Sequence, residues 1–159
     1  MSLTRAATLT AALALTLALP VPPSRAQSPA PATATMTRMH KLAIQVDENR
    51  PEVMALALNN AQNVLDHFKD KGEPVAIEIV AYGPGLHMLR DDTSPVKSRI
   101  AAMSLAEPGL AFIACENTRT NQSKQEGKAI ALISEARPTP SGVVRLMQLQ
   151  AEGSAYIRP

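Results

Sequence analysis

Aromatic residues are scarce in this 159-residue chain, which contains two Phe, two Tyr and no Trp. Clefts that stack sugars or peptides are built from aromatic side chains, so the composition argues against a cleft of that kind. The core has to be formed by Ala, Val, Ile, Leu and Met, which suits helices packed closely on a sheet. The length allows about one domain with a substantial core.

No uninterrupted apolar run reaches the length of about 20 residues that a membrane-spanning helix needs. The run at residues 6–19 contains only Ala, Leu and Thr, and it follows Arg5. This pattern is typical of a secretory signal peptide, with Ser24 and Ala26 as the small residues before a cleavage site. We therefore expect residues 1–26 to be removed by the general secretion route and the mature protein to be periplasmic. An uncleaved anchor is the alternative.

Outside the predicted signal peptide, the chain also has no excess of charge of one sign. The whole chain has 16 basic and 14 acidic residues, and Arg5 and Arg25 lie within residues 1–26, which leaves 14 residues of each sign. Neither a polybasic run nor a basic patch with interleaved aromatics is present. Nucleic acid and, after signal cleavage, the membrane are therefore not expected partners.

Beyond a disordered tether expected at residues 27–38, apolar strands alternate with helices along an α/β domain at residues 39–159. The predicted strands are residues 40–46, 75–82 and 110–115, a short one at 129–134, and a closing edge strand at 155–157. Helices are predicted after Pro51, at 86–89, after the cap Ser94 with Pro95, from Glu116 to about residue 127, and after the cap Ser141. This alternation predicts a single doubly wound, flavodoxin- or Rossmann-like domain. Its mainly parallel sheet should have about five strands, with helices on both faces.

Two local expectations concern the end of the chain. Residues 138–140 are expected to form a loop, because Pro138 and Pro140 are typical of turns. The last helix is expected to bury the apolar residues Val143, Val144, Leu146 and Met147.

Ligands and reactive groups gather at the carboxyl ends of the strands in parallel α/β sheets. The residues that follow the predicted strands, and so are expected at the edge of a site, are Asp47, Asn49, Gly83, Gly85, Asn117 and Thr118. Gly83, Pro84 and Gly85 resemble a phosphate-binding loop, but the GxGxxG and Walker lysine patterns are missing. A tight turn that needs positive φ is the alternative reading of these residues.

The only cysteine, Cys115, closes the third predicted strand and directly precedes a helix. Amide groups at a helix N-terminus stabilise a thiolate and lower the thiol pKa, so Cys115 is a candidate nucleophile towards a persulfide or a disulfide. Glu116 opposes this effect, whereas Arg119 would support it if it folded back. Because free cysteines are often simply buried, a structural role at the strand end is the alternative.

His87 lies in the loop after the second predicted strand and is a candidate proton shuttle for Cys115, provided that the loop bends over the sulfur. A surface or packing role is the alternative. His40 and His67 are placed elsewhere, and neither a CxxC nor an HExxH pattern occurs. We therefore expect no metal site, and no sequence feature indicates a cofactor.

Four segments, taken in order, resemble one known family. They read ALNNA followed by NV at residues 57–64, EIVAYGPGL followed by ML at 78–89, ACENT at 114–118, and SGVV through AYI at 141–157. In this order they are similar to the exported branch of the DsrE/DsrF-like family, over nearly all of residues 39–159. The exported branch commonly has Gly after the cysteine, where this chain has Glu116, and residues 127–139 are dissimilar.

The resemblance implies a compact doubly wound fold that assembles into homo-oligomers such as trimers or hexamers. Its distantly similar cytoplasmic members, the TusD-like sulfur-relay proteins, carry sulfur as a persulfide on a cysteine. Cys115 lies where that cysteine would be expected. The implied function is periplasmic sulfur handling, with a separate protein as sulfur donor or acceptor. The alternative is a non-enzymatic, homo-oligomeric protein that binds a small ligand or acts as a scaffold, with a structural cysteine.

Overall fold

The computed structural model describes residues 39–159 as five strands, four α-helices and one 3₁₀ helix. The strands are β1 (His40–Val46), β2 (Val75–Ala81), β3 (Leu110–Cys115), β4 (Ala136–Thr139) and β5 (Ala155–Ile157). The α-helices are α1 (Pro51–Asp70), α2 (Lys97–Ala106), α3 (Glu116–Glu126) and α4 (Gly142–Ala151), and the 3₁₀ helix is Gly83–Leu89. The predicted signal peptide (1–26) and tether (27–38) lie outside the described residues. Within the described part, none of the helices combines the length and apolar character needed to cross a membrane.

All five strands run parallel, in the order β4-β3-β2-β1-β5. The register pairs Ile44 of β1 with Ile79 of β2, which is in turn paired with Phe112 of β3. From β1 to β4 the chain steps in one direction, and it then returns to place β5 on the other side of β1. Because crossovers between parallel strands are right-handed, this reversal places α4 on the face opposite α1 and α2. The predicted doubly wound α/β fold is confirmed.

The two faces of the sheet are covered unequally. Successive strand residues point to opposite faces, and the larger core, which includes the fully buried Ile44 and Phe112, lies on the face of α1 and α2. The opposite face carries a smaller cluster, in which Leu146 and Leu149 of α4 pack against strand residues such as Ile113. One helix therefore covers most of what is buried on the second face.

α1 follows the prediction closely. Pro51 occupies its first turn, where the missing N–H of proline has no helical partner to lose. The buried residues recur at helical spacing and are Val53, Met54, Ala57, Leu58, Ala61 and Leu65. Packing of this stripe fixes α1 against the larger core, so the loop between β1 and α1 is held at the carboxyl edge of the sheet.

Two predictions between α3 and α4 are wrong. Residues 129–134 do not form a strand, and the segment makes only an isolated bridge between Leu132 and Arg90. β4 is instead Ala136–Thr139, and it includes Pro138, which was expected in a loop. A proline fits this position because β4 lies at the edge of the sheet and pairs only with β3.

α2 begins later than predicted. Its N-cap position is Val96, which provides no side-chain cap, so Ser94 does not cap the helix. The Ser94 hydroxyl donates instead to the backbone carbonyl of Met88, at 2.5 Å. Ile100 and Met103 are buried, as expected from their spacing.

The buried side of α4 also differs from the prediction. Leu146 is buried as expected, but Val143 and Val144 are each 50% exposed and Met147 is 65% exposed. Leu149 occupies the second buried position instead. Among residues 39–159 no other helix lies on the face of α4, so only the stripe towards the sheet is covered and its outer apolar residues are exposed.

Gly85, in the 3₁₀ helix, packs directly against the end of β1. A Cβ atom at this position would lie 2.2 Å from the backbone oxygen of Val46 and 2.8 Å from the backbone nitrogen of Asp47. Backbone atoms in a paired strand cannot move aside as a flexible side chain could. The turn after β2 therefore requires glycine for space.

We expect Gly85→Ala to lower the free energy of unfolding by about 1–3 kcal/mol or more, because the methyl group overpacks a rigid backbone contact. Urea denaturation of both proteins measures the difference. Gly72→Ala is the control, since its Cβ would have no atom within 4 Å and it meets only the strain of its positive φ of 66°. Equal stability of Gly85→Ala and the wild type would contradict the close approach.

Candidate functional site

Cys115 is the last residue of β3 and the N-cap residue of α3. Its side chain lies on the α4 face of the sheet, because it alternates with Ala114 and follows Ile113, which packs against α4. The Cβ of Cys115 is 3.4 Å from the position that a Cβ of Gly142 would occupy. The sulfur therefore lies where the N-termini of α3 and α4 meet.

Hydrogen-bond donors from both helices converge on this sulfur. Burial acts to raise the pKa of the Cys115 thiol, but hydrogen bonds from the Thr118 hydroxyl and from the backbone N–H groups of Gly142, Thr118 and Asn117 outweigh it. The net effect holds the pKa of the thiol below its ordinary value. Helix N-terminal amides carry partial positive charge, so they favour the thiolate over the thiol.

The Thr118 hydroxyl is positioned for this role by the turn after β2. Its Oγ1 accepts a hydrogen bond from the backbone N–H of Gly83 at 2.9 Å. With one lone pair engaged in this way, the hydroxyl proton is available to the sulfur. The carbonyl of Gly83 accepts from Nε2 of Gln122 at 3.1 Å, so α3 holds both backbone groups of the turn.

Gly142 brings the first amide of α4 to the sulfur. Ser141 caps the helix by accepting from the backbone N–H of Val144 at 3.5 Å, as predicted. A Cβ at Gly142 would lie 3.0 Å from the Cβ of Tyr82, so any larger residue would crowd the site. The sequence prediction missed Gly142 and Tyr82. A glycine in the first turn of a helix, where it lowers helix propensity, was the one available sign of close approach.

The charged residues beside Cys115 are paired. Arg119 donates from Nε to the Glu116 carboxylate at 2.9 Å, within the first turn of α3. The negative charge of Glu116, which was expected to oppose a thiolate, is therefore offset by Arg119. Cys115 itself is only 5% exposed, so very little of the residue meets solvent.

The other residues that were expected at the edge of the site lie at separate positions and do not surround the sulfur together. Asp47 lies at the end of β1, where its carboxylate accepts from Nε of Arg158 at 3.0 Å. Burial raises the pKa of Tyr82, and the nearby carboxylate of Asp47 adds to the effect. Asn117 contributes its backbone, whose N–H also donates to the carbonyl of Pro140 at 3.2 Å. Gly85 is buried under the turn and reaches no ligand-accessible surface.

His87 lines a cleft that does not include Cys115. The cleft has a volume of about 430 Å³, and Asn49, Gly83 and Thr118 share its lining with His87. Nδ1 of His87 is 2.8 Å from the hydroxyl oxygen of Thr93. Burial lowers the pKa of His87, and the neighbouring Arg90 lowers it further. The role of His87 as a proton shuttle for Cys115 remains a prediction. The His87 ring contacts the Thr93 hydroxyl.

In the part of the chain that the structure describes, no group of three or more His, Cys, Asp and Glu side chains is arranged to hold a metal ion. His40 lies at the opposite edge of the sheet, where Nε2 is 2.7 Å from the Glu73 carboxylate and the ring stacks on Phe68. The histidines are thus engaged at separate points of the fold.

The fold and site define a single-domain α/β protein with an all-parallel sheet and a cysteine at the carboxyl edge. No protein-family model matches the chain, and no curated protein does. The solved structure of MTH1491 from Methanobacterium thermoautotrophicum, a protein of unknown function, is similar with a TM-score of 0.63 and 30% identity. The match covers 76% of this chain and 99% of that chain. The chain belongs to the same family as MTH1491.

We expect Thr118→Val to raise the pKa of the Cys115 thiol, because it removes the hydroxyl that donates to the sulfur while keeping the size of the side chain. The rate of alkylation by iodoacetamide, measured as a function of pH, should then reach its midpoint at higher pH than in the wild type. Thr118→Ser retains the hydroxyl and should keep the wild-type midpoint. A Val variant with an unshifted profile would show that the hydroxyl does not stabilise the thiolate.

Gly142→Ala should also raise the pKa of the Cys115 thiol. The added methyl group presses on Tyr82 and Cys115, so the start of α4 has to move and its first N–H leaves the sulfur. The same alkylation profile measures the effect. Gly153→Ala, just beyond the other end of α4, meets no atom within 4 Å and only the strain of its positive φ of 86°, so it is the control for strain in α4 that is distant from the sulfur. If both variants behave alike, close approach at Gly142 is not what sets the pKa.

Proposed function

We propose that this protein is a periplasmic sulfur carrier, which holds a sulfane sulfur as a persulfide on Cys115. The observation that carries the proposal is the position of Cys115, which is the N-cap residue of α3 and whose Cβ lies 3.4 Å from the Cβ position of Gly142 in the first turn of α4. A thiol whose pKa is lowered at helix N-termini forms the nucleophilic thiolate at lower pH than an ordinary cysteine, and the same helix N-termini suit the negative charge of an ionised persulfide.

The transfer step needs neither an oxidant nor a cofactor. The Cys115 thiolate attacks the outer sulfur of a donor persulfide, R–S–SH. A bond forms between Sγ and that sulfur, while the donor's S–S bond breaks and its electron pair leaves on R–S⁻. The products are the Cys115 persulfide and the donor thiolate. Release is the reverse reaction with an acceptor thiolate, so one reactive sulfur is sufficient and His87 is not required.

The class and location of the carrier rest on the sequence. We propose membership of the DsrE/DsrF-like family from the segments around residues 57–64, 78–89, 114–118 and 141–157. Export rests on the signal-like pattern of residues 1–26. Donor and acceptor would then be periplasmic proteins or small persulfides, distinct from the partners of cytoplasmic relay proteins.

Self-association is part of the proposal. The outer side of α4 exposes Val143, Val144 and Met147, a strip of apolar side chains next to the site. Neighbouring apolar residues on one helix face are typical of a contact between subunits. A homo-oligomer, such as the trimer or hexamer implied by the resemblance, would cover this strip.

A second candidate function is supported by the low exposure of Cys115, which is 5%. A thiol this buried can serve as a small packing residue, and the protein would then be a non-enzymatic scaffold or ligand-binding protein. The two functions differ in one property. A carrier must expose its sulfur to a donor often enough to react, whereas a structural cysteine stays inert in the folded protein.

We expect the intact mass of residues 27–159 to increase by whole sulfur atoms after incubation with a polysulfide donor. The gain should disappear on treatment with a reductant and be absent in Cys115→Ser. Mass spectrometry of the native, folded protein makes the measurement, and Thr118→Val should load more slowly at neutral pH because less thiolate is present.

Alkylation of unfolded protein in urea is the control, because it shows that the thiol is intact. A native protein that neither gains sulfur nor reacts with iodoacetamide, while the unfolded chain does react, would overturn the carrier proposal. That result would favour the scaffold.

A further inference from the structure

The cleft beside His87 is separate from the sulfur and is not used by the proposed transfer. It lies outside the carboxyl ends of β1 and β2, where open α/β sheets bind ligands. Its volume of about 430 Å³ falls in the range of small-ligand sites, about 300–1,000 Å³. Position and size together make it a candidate binding site.

The wall formed by α3 is fixed from behind by a buried arginine. Arg90 is 1% exposed, and its guanidinium donates to both carboxylate oxygens of Glu126 and to the Gln122 amide oxygen. It also donates twice to Asp92, at 2.9 and 2.8 Å. Hydrogen bonds to Glu126 and then Asp92 raise the pKa of Arg90, so it stays charged. Bidentate pairs of this kind hold a fixed geometry, so the cleft is preformed.

The charges around the cleft are already neutralised. Glu126 is paired with Arg90, and hydrogen bonding to that guanidinium is the main cause that lowers the pKa of Glu126. Burial lowers the pKa of His87, and the neighbouring Arg90 lowers it further, so both disfavour the charged ring. The lining therefore offers a charged ligand no free partner of opposite sign, and an ion would lose hydration without compensation.

The groups left to a ligand are mainly carboxamides. Gln122 is engaged with Gly83 and Arg90, but Asn49, Asn121 and Gln125 line the cleft with no hydrogen bond from their side chains within the described residues. Asn121 and Gln125 are one turn apart on α3, so they face the same way. Each carboxamide presents an N–H donor beside a C=O acceptor. That pattern matches the N–H and C=O groups of another amide.

We propose that this cleft binds an uncharged amide ligand, of the kind presented by a short stretch of peptide backbone. The lining contains no Phe, Tyr or Trp, so neither a sugar ring nor a peptide side chain can stack there, and recognition has to rest on hydrogen bonds to amide groups. Recognition rests on paired hydrogen bonds from Asn121 and Gln125, supported by Asn49. The cleft does not include Cys115 and shares only Thr118 with the sulfur site, so binding in the cleft can be measured separately from sulfur transfer.

The test is an NMR titration of ¹⁵N-labelled residues 27–159 with the neutral peptide N-acetyl-diglycinamide. We expect saturable chemical-shift changes in the side-chain amides of Asn121 and Gln125, with a millimolar Kd. The double variant Asn121→Ala/Gln125→Ala should bind roughly tenfold more weakly, which corresponds to the loss of about 1.4 kcal/mol. Both positions are exposed, and alanine favours a helix, so the fold is expected to persist.

Gln148→Ala/Gln150→Ala is the matched control, since it removes two exposed carboxamides from α4 on the other face of the sheet. It should bind the peptide as the wild type does. Two further ligands test the chemistry: zwitterionic diglycine, which carries charge, and glycerol, which offers hydroxyls alone. Binding of either as tightly as the neutral peptide, or the absence of saturable shifts at the two α3 residues, would overturn the proposal.

Discussion

The reversal of strand order at β1 is the constraint on which the site depends. Four strands are laid down in one direction, and β5 then returns to the far side of β1. Right-handed crossovers require α4 to lie on the opposite face, and they bring its first turn to the carboxyl end of β3. α3 starts at that same point because it directly follows the strand. Two helix N-termini therefore meet at one residue, Cys115.

A second constraint keeps this arrangement rigid on the other side of the sheet. Arg90 is buried and binds two carboxylates, so only the loss of both partners would leave its charge uncompensated. α3 is consequently fixed along its length, at Glu126 by Arg90 and near its start by the bond between Thr118 and Gly83. Thr118 serves both the cleft and the sulfur, so the geometry of one determines the geometry of the other.

Local patterns were sufficient to predict β1, β2, β3, β5 and the long helix, but not β4. The apolar run of β1, the proline at the start of α1 and the helical spacing from Met54 to Leu65 each reflect interactions within one segment. Pro138 was predicted in a loop but lies in β4. A proline is tolerated in this strand because β4 is an edge strand, and that is a property of the whole sheet. Val143 and Met147 were predicted to be buried but are exposed. The pattern of one amphipathic segment does not show how many helices cover a face of the sheet.

The candidate site shows the same contrast. Positions that depend on one segment were predicted, whereas contacts between distant segments were not. Cys115, Thr118 and Gly83 were expected at the carboxyl edge, since Cys115 ends a predicted strand and the other two follow one. Gly142 was not expected at the site, because Gly142 and the sulfur of Cys115 belong to segments that are distant in sequence and meet only in the fold. His87 was expected near Cys115 on the ground that both follow strands, but the turn after β2 directs it to a cleft that does not include the sulfur.

Burial and hydrogen bonding act on Cys115 in opposite directions, and their balance bears on its chemistry. Burial alone would favour the neutral thiol, whereas the donors from α3 and α4 favour the thiolate. Cys115 is the only cysteine in the chain, so a persulfide formed on it has no internal thiol to resolve it. The outer sulfur would remain until another molecule's thiolate attacks it. If the proposed function holds, loading and release would both depend on encounters where the starts of α3 and α4 meet at the sulfur. The surface around the sulfur, more than the thiol itself, would decide which molecules exchange sulfur with this protein.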